Sequence, residues 1–431
     1  MYKRQFVDKA NITDLDFTKD KIYSISQATK DKLENLDQKI TITTYNMYEY
    51  VEDFANKYAT LNDNITVEKL ENLTSKQEWK TEYGLTDTSS FVAVETESKI
   101  KILQDSDLYT YDYSTHEQID ITEEAITNAI LDVTTNIKPK ICILTGHNLY
   151  NDGYFQYLES SLESEVNQVE YLNLLTAGSI PKDCKVLVIT ALKNDIDKKE
   201  KDEILKYINN GGEILLLMDP NLGKIKTPNF QKILDVYGVK NSEGFIMEAN
   251  SSKMVSGAPS YIIASINTSS ELVKDINMGL NVCMMTAGKL TFESTDELAK
   301  KNVTLETLAT ASDKAFYRTD LTSSSQTKIS SDESASGATV AAMLTKTISE
   351  DKISKLIVFS NTAFATNAQI QMGMYYRYAI EFCNNEDILL NSVSYLTERE
   401  DNITIRKAGE TVTTYAVSYT HLRAHETSAH L

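Results

Sequence analysis

The sequence predicts an α/β protein in two units: an N-terminal mixed α/β domain, then a larger domain built on a doubly wound, mostly parallel sheet. Three observations carry that expectation. Lys140–Thr145, Val186–Leu192, Glu213–Asp219 and Leu356–Ser360 are apolar along both faces, which water tolerates only when helices cover both sides of a sheet. Amphipathic helix patterns separate the first three of these strands, the alternation of a parallel sheet with crossover connections. A chain of 431 residues with 41% hydrophobic residues has material for more than one core, and its length is the prior for two or three domains.

In the first unit, assigned to residues 6–136, a serine-capped turn places Ile25, Ala28, Leu33 and Leu36 at helical spacing before an alternating strand, Ile40–Tyr45. Val51, Phe54, Ala55, Tyr58 and Leu61 form one apolar helix stripe. Val67–Leu70, Phe91–Glu95, Lys99–Leu103 and Leu108–Tyr113 read as strands, several with period-two alternation. Asp120 or Thr122 caps the next helix, Glu123 and Glu124 occupy its positively polarised first turn, and Ala125, Ile126, Ala129, Ile130 and Val133 face inward. Pro139 closes it and sets a domain boundary near residue 137.

The second unit, residues 137–398, opens with Lys140–Thr145. A helix with Phe155, Leu158 and Leu162 inward follows, then the strands Val169–Leu175 and Val186–Leu192. Asp197-x-x-Glu200 has the form of a capping box, Ile204, Leu205 and Ile208 face inward, and Gly211-Gly212 end that helix before Glu213–Asp219. Phe230–Tyr237 is a helix stopped by Gly238. Residues 240–330 show less regularity, and Thr322–Ser334, rich in serine and threonine, reads as an exposed linker or loop. Gly337–Leu344 and Leu356–Ser360 return as strands, followed by a helix carrying Met374, Tyr378 and Phe382 and a last helix, Ile388–Leu396.

Charge and motifs exclude several function classes. A net charge of −19 argues against nucleic acid, whose phosphates demand a basic face, and against docking on anionic lipid. No run of eighteen apolar residues occurs, so the chain as written does not span a bilayer. The four cysteines form no C-x-x-C pair or disulfide framework. Neither Gly-x-Gly-x-x-Gly, Gly-x-Ser-x-Gly nor a phosphate-binding Walker loop is present, so no nucleotide cofactor or elbow nucleophile is implied. Cys142 lies inside a strand, and only His116 and His147 stand outside the last eleven residues, which leaves a Cys–His–acid triad without support. His421/His425 and Asp195-x-Asp197 lack the companions a metal site needs, and a helix cap explains Asp197.

Open α/β sheets bind ligands at the carboxyl ends of their strands. The predicted strand order brings Gly146, His147, Asp219, Pro220, Asn221 and Asn361 to that edge, where a small polar ligand could sit. The competing structural reading is that Gly146 makes a turn and His147 caps the next helix.

A resemblance sharpens this. Asp16-Phe17-Thr18-Lys19-Asp20-Lys21-Ile22-Tyr23-Ser24-Ile25-Ser26 resembles the segment just outside the first membrane helix in auxiliary subunits of gliding-motility-type ABC transporters. Thr145-Gly146-His147, the unit from Tyr207-Ile208-x-x-Gly211-Gly212 to Asp219-Pro220, and Phe364-x-x-Asn367 before Asn391-Ser392-Val393 resemble the same family in the same order. The resemblance implies a second domain like a class I glutamine amidotransferase or flavodoxin. It implies a non-catalytic subunit on the extracytoplasmic face of a bacterial cell membrane, with permease and ATPase as separate chains. Self-association is a further contact it leaves open. Residues 399–416 would lead toward a membrane anchor, and residues 1–5 and 417–431 resemble translated sequencing adapter. The alternatives are a soluble amidotransferase-like hydrolase with an unusual site at His147, and a periplasmic ligand-binding module.

Overall fold

The computed structural model describes residues 24–112, 117–135, 138–273, 279–372 and 375–398. The motif residues 16–23, both terminal segments, Tyr113, His116 and Met374 lie outside the described residues.

Helix α1 (Gln27–Leu33) starts at Ser26, whose side chain accepts from the Thr29 amide. It is tied to the rest by Glu123, which accepts from the Ser26 amide at 2.8 Å and the Thr29 hydroxyl at 2.6 Å. Strands β1 (Ile40–Tyr45), β2 (Ile65–Lys69), β3 (Phe91–Glu95) and β4 (Ile100–Gln104) form a sheet ordered β2-β1-β3-β4. The β1–β2 pair is parallel because α2 (Glu49–Tyr58) provides the crossover; the other pairs are antiparallel. Apolar residues of α2 and of α4 (Thr122–Thr134) pack on one face with Ile40, Ile42, Val92 and Val94. The other face holds Tyr45, Phe91 and Trp79, the last from a short helix α3 (Gln77–Glu82) that the sequence reading passed over.

The second sheet has nine strands: β5 (Lys140–Leu144), β6 (Gln168–Leu172), β7 (Cys184–Ile189), β8 (Glu213–Leu217), β9 (Tyr261–Ile266), β10 (Asn281–Met285), β11 (Val303–Thr310), β12 (Thr339–Ser349) and β13 (Lys352–Phe359). Their order is β10-β9-β11-β12-β13-β8-β7-β5-β6. From β6 to β13 every pairing is parallel, and the four expected apolar strands β5, β7, β8 and β13 are adjacent. From β13 to β10 every pairing is antiparallel, so the parallel core carries an antiparallel extension of similar width. Of that extension β12 was expected, from Gly337–Leu344, but β9, β10 and β11 lie in the stretch read as irregular; β9 and β11 mix Ser, Thr and Glu with apolar residues and bury only part of each strand.

Pleating sends alternate side chains to opposite faces. Ile141, Ile143, Val186, Val188, Leu215, Leu217, Ile357 and Phe359 meet α5 (Gln156–Ser164) and α8 (Asn385–Leu396) on one side. Cys142, Leu144, Leu187, Ile189, Ile214, Leu216, Leu356 and Val358 meet α6 (Lys198–Asn209) and α7 (Pro228–Tyr237) on the other. Helices therefore cover both faces of the parallel half. The capping box at α6 is complete, with Asp197 accepting from Lys199 and Glu200 amides and Glu200 accepting from the Asp197 amide. Gly238 ends α7 at φ +69, where an added Cβ would also lie 2.5 Å from Leu298.

Three expectations need correction. The helix expected around Met374, Tyr378 and Phe382 is instead a hairpin, Gln369–Met372 with Tyr375–Tyr378, followed by a single turn at Ala379–Glu381; its aromatic and alternating residues favour extended backbone. The strand expected over Val169–Leu175 stops at Leu172, and Leu174–Ala177 makes one helical turn closed by Gly178. Thr322–Ser334 is not a free linker. Arg318 and Asp332, 1% and 0% exposed in their side chains, form a two-pronged ion pair at 3.0 and 2.6 Å, and Arg318 also donates to the carbonyls of Ser325 and Thr327.

Strand β10 ends the sheet, yet its outer edge is occupied. Asn385 accepts from the Cys283 amide at 2.8 Å and donates to the Cys283 carbonyl at 2.9 Å. Asn361 does the same for Met285, at 3.2 and 2.6 Å, and Asn384 accepts from the Asn281 amide at 3.2 Å.

Candidate functional site

The predicted residues do lie just beyond the carboxyl ends of the parallel strands, but they divide into two groups. His147 belongs to the scaffold. The residue is 8% exposed, with Nε2 2.8 Å from Glu200 Oε2 and Nδ1 2.7 Å from the Asn194 amide nitrogen. The amide donates to Nδ1, which leaves the proton on Nε2 for Glu200. Both ring nitrogens are thereby committed to joining the end of β5 to the start of α6. Gly146 has φ +102, and a Cβ there would lie 3.3 Å from the Asn173 side chain. Asn221 closes its own loop, donating to the Ile225 carbonyl and accepting from the Ile225 amide. Pro220 packs beside Gly288, whose Cβ would meet it at 3.3 Å.

Asp219 and Asn361 form the second group and touch each other, Asn361 Nδ2 lying 3.4 Å from Asp219 Oδ1. The Thr362 amide donates to the same oxygen at 2.6 Å, and the Tyr150 hydroxyl donates to Oδ2 at 3.2 Å. Burial raises the Asp219 pKa, opposed by these donors. Tyr150 is raised in turn by its own burial and by the Asp219 charge. Thr362 links the strands below, donating to the Leu217 carbonyl at 2.6 Å and accepting from the Ala191 amide at 3.1 Å.

Thr190 and Tyr150 were missed in the sequence. Thr190 reads there as filler in an apolar run, and Tyr150 lies 69 residues from Asp219. A usable signal was the pleat itself. Two residues beyond Ile143, Val188, Leu217 and Phe359 come Thr145, Thr190, Asp219 and Asn361, so one face of the sheet turns polar along a single row.

Nucleophilic chemistry has no visible foothold in Cys142. The thiol is buried on the α6–α7 face, and its contact with the Cys184 thiol together with burial pushes its pKa far upward. Among the described residues no group of three or more His, Cys, Asp or Glu could hold a metal ion. A polar cleft of about 380 Å³ lies next to Asn221, lined by Thr227, Gln231, Asp235, Lys240 and Glu243 among others. No helix among the described residues is long and apolar enough to cross a membrane.

Solved structures give distant likenesses. The N-terminal domain of mmIFT52 is 13% identical with a TM-score of 0.42, covering 60% of this chain and 97% of that one. A putative ThuA-like protein from Parabacteroides merdae is 11% identical with a TM-score of 0.34, covering 61% and 90%. A glutamine amidotransferase from Thermotoga maritima is 8% identical with a TM-score of 0.31, covering 61% and 100%. At these values the likeness bears on neither activity nor partner. No curated protein matches. A family model does, over residues 138–392, a span holding all nine strands of the large sheet and most of α8. By that match, which takes in more than half of its residues, the chain belongs to the ABC-type uncharacterized transport system family.

Proposed function

We infer that the protein is a non-catalytic auxiliary subunit of a bacterial ABC transport system of the gliding-motility type, held on the extracytoplasmic face of the cell membrane and acting by contact with permease and ATPase chains. The observation that carries the transport reading is the family match across the whole large sheet. Support for a role without catalysis comes from the site: the strand-end histidine is locked to Glu200 and Asn194, and Cys142 is buried in a strand with its thiol held protonated. The remaining polar groups at the carboxyl edge, Asp219, Asn361 and their neighbours, suit binding, with Gly146, His147, Pro220 and Asn221 shaping the loops around them.

Co-purification decides the matter. The tagged protein, expressed in its native cells, is expected to bring permease and ATPase chains down from detergent-solubilised membranes. Recovery of the protein alone, or glutaminase or esterase turnover that disappears in Cys142→Ala, would overturn this reading.

A further inference from the structure

Tyrosines collect on one surface beside the start of α5. Tyr150 and Tyr154 stand edge to face at 5.7 Å, and Tyr157, three residues on, meets Tyr378 of the hairpin edge to face at 6.2 Å. Asn367 holds the two segments together: its backbone amide donates to the Tyr154 carbonyl at 2.8 Å, and its side chain accepts from the Tyr157 amide at 3.1 Å. Alternation along the hairpin puts Tyr376 on the face of Tyr378. The cross-strand pair Ile370 and Arg377 takes the other face, Ile370 buried and Arg377 stacked over the Phe382 ring at 5.1 Å. The outward rings stay in solvent, with Tyr154, Tyr376 and Tyr378 41%, 57% and 37% exposed. A band of exposed aromatic surface on a folded protein marks a contact site.

The margin of the band is acidic. Residues 148–172 contain no lysine or arginine, and residues 361–388 contain only Arg377, which the hairpin turns inward. Asp152 is exposed between Tyr150 and Tyr154, Asp219 meets the Tyr150 hydroxyl at 3.2 Å, and Glu381 accepts from the Tyr378 amide at 2.8 Å. Nucleic acid and anionic lipid are repelled by such a surface. A cation is favoured twice, because aromatic faces attract ammonium and guanidinium groups and the carboxylates beside them add charge of the complementary sign. We propose that this band docks a basic segment of a partner protein, with arginine or lysine side chains laid over Tyr154, Tyr376 and Tyr378 and Asp152 at their margin. The proposal rests on the contact role given above, for which it names the surface and the chemistry of the partner.

The test is a fluorescence-anisotropy titration of the full chain into a labelled synthetic peptide of four Arg-Gly-Leu repeats, with four Glu-Gly-Leu repeats as the charge-reversed control. The basic peptide is expected to bind and the acidic one is not, with affinity reduced about fivefold or more in Tyr376→Ser and in Tyr154→Ser at unchanged Tm. Tyr48, 63% exposed in the first unit, supplies the comparison, and Tyr48→Ser is expected to bind as the wild type does. The two band residues lie in separate elements, so early melting of one variant leaves the other to decide. The proposal falls if the basic peptide does not bind at millimolar concentration, or if the acidic peptide binds equally well. It falls too if the band substitutions leave affinity unchanged, the mark of attraction to the net charge of −19 alone. Recovery of permease and ATPase without peptide binding overturns the docking surface only, and peptide binding without their recovery overturns the subunit reading only.

Discussion

Glu213, the first residue of β8, is 8% exposed, and burial raises its pKa from 4.5 to about 7 despite the Lys355 amide donating to it at 2.5 Å and the charge of Lys355. An acid whose folded pKa is raised binds its proton more tightly in the native state, so stability falls as pH rises from about 4.5 to about 7. The loss across that window amounts to at most about 3 kcal/mol. Glu213→Gln should flatten the wild-type slope of unfolding free energy between pH 5 and 7; an unchanged slope in denaturant titrations at stepped pH would show that Glu213 ionises freely. The buried Arg318–Asp332 pair makes the opposite kind of residue. Arg318→Met leaves Asp332 charged without its partner and should cost roughly 3–5 kcal/mol, seen as a lower denaturant midpoint and as early proteolytic cutting within residues 319–331.

Elements follow their local chemistry where that chemistry is concentrated. The Asp197–Glu200 box starts α6, and Asp197→Ala is expected to cost about 1 kcal/mol, read from the thermal midpoint. Continuous apolar runs announced β5, β7, β8 and β13, and even their adjacency, because such strands have only one kind of place to go. Strands β9, β10 and β11 were not legible: β9 and β11 are wetted along part of their length, β10 is a buried run of only five residues, and their partners lie across turns that Ser and Thr disguise as loop. The hairpin at Gln369–Tyr378 failed for a related reason, since Met and Tyr spaced along it satisfy a helix stripe as well as a ladder. At the candidate site the sequence placed Asp219 and Asn361 together correctly. Thr190 and Tyr150 escaped notice because their roles depend on register between segments, which no local pattern encodes. His147 stood out as a rare residue, yet its rarity reflects a buried strut between β5 and α6. For the β10 edge, Asn385→Ala removes both partners of Cys283 and should cost about 1–3 kcal/mol, with faster hydrogen exchange at the Cys283 amide.

At the scale of the whole molecule, the apolar clusters do not mix. Those around the small sheet draw only on residues up to Val133, and those around the large sheet begin at Ile141. Each cluster set thus lies on its own side of residue 137 among the described residues, and on that basis we propose that the expected units 6–136 and 137–398 are separate domains. Calorimetry is expected to resolve two unfolding transitions, with Val51→Asp lowering only one; a single transition shifted as a whole by that substitution would show one cooperative unit. The sealed edge of β10 has a consequence for how copies of the chain could meet. A sheet with two open ends can recruit neighbours on both sides and grow without limit, the route to fibres. Here the asparagines at 361, 384 and 385 stand in for a tenth strand, so the sheet can lengthen only through β6. Two copies joined there would each present a blocked end, and assembly by that route would stop at a pair.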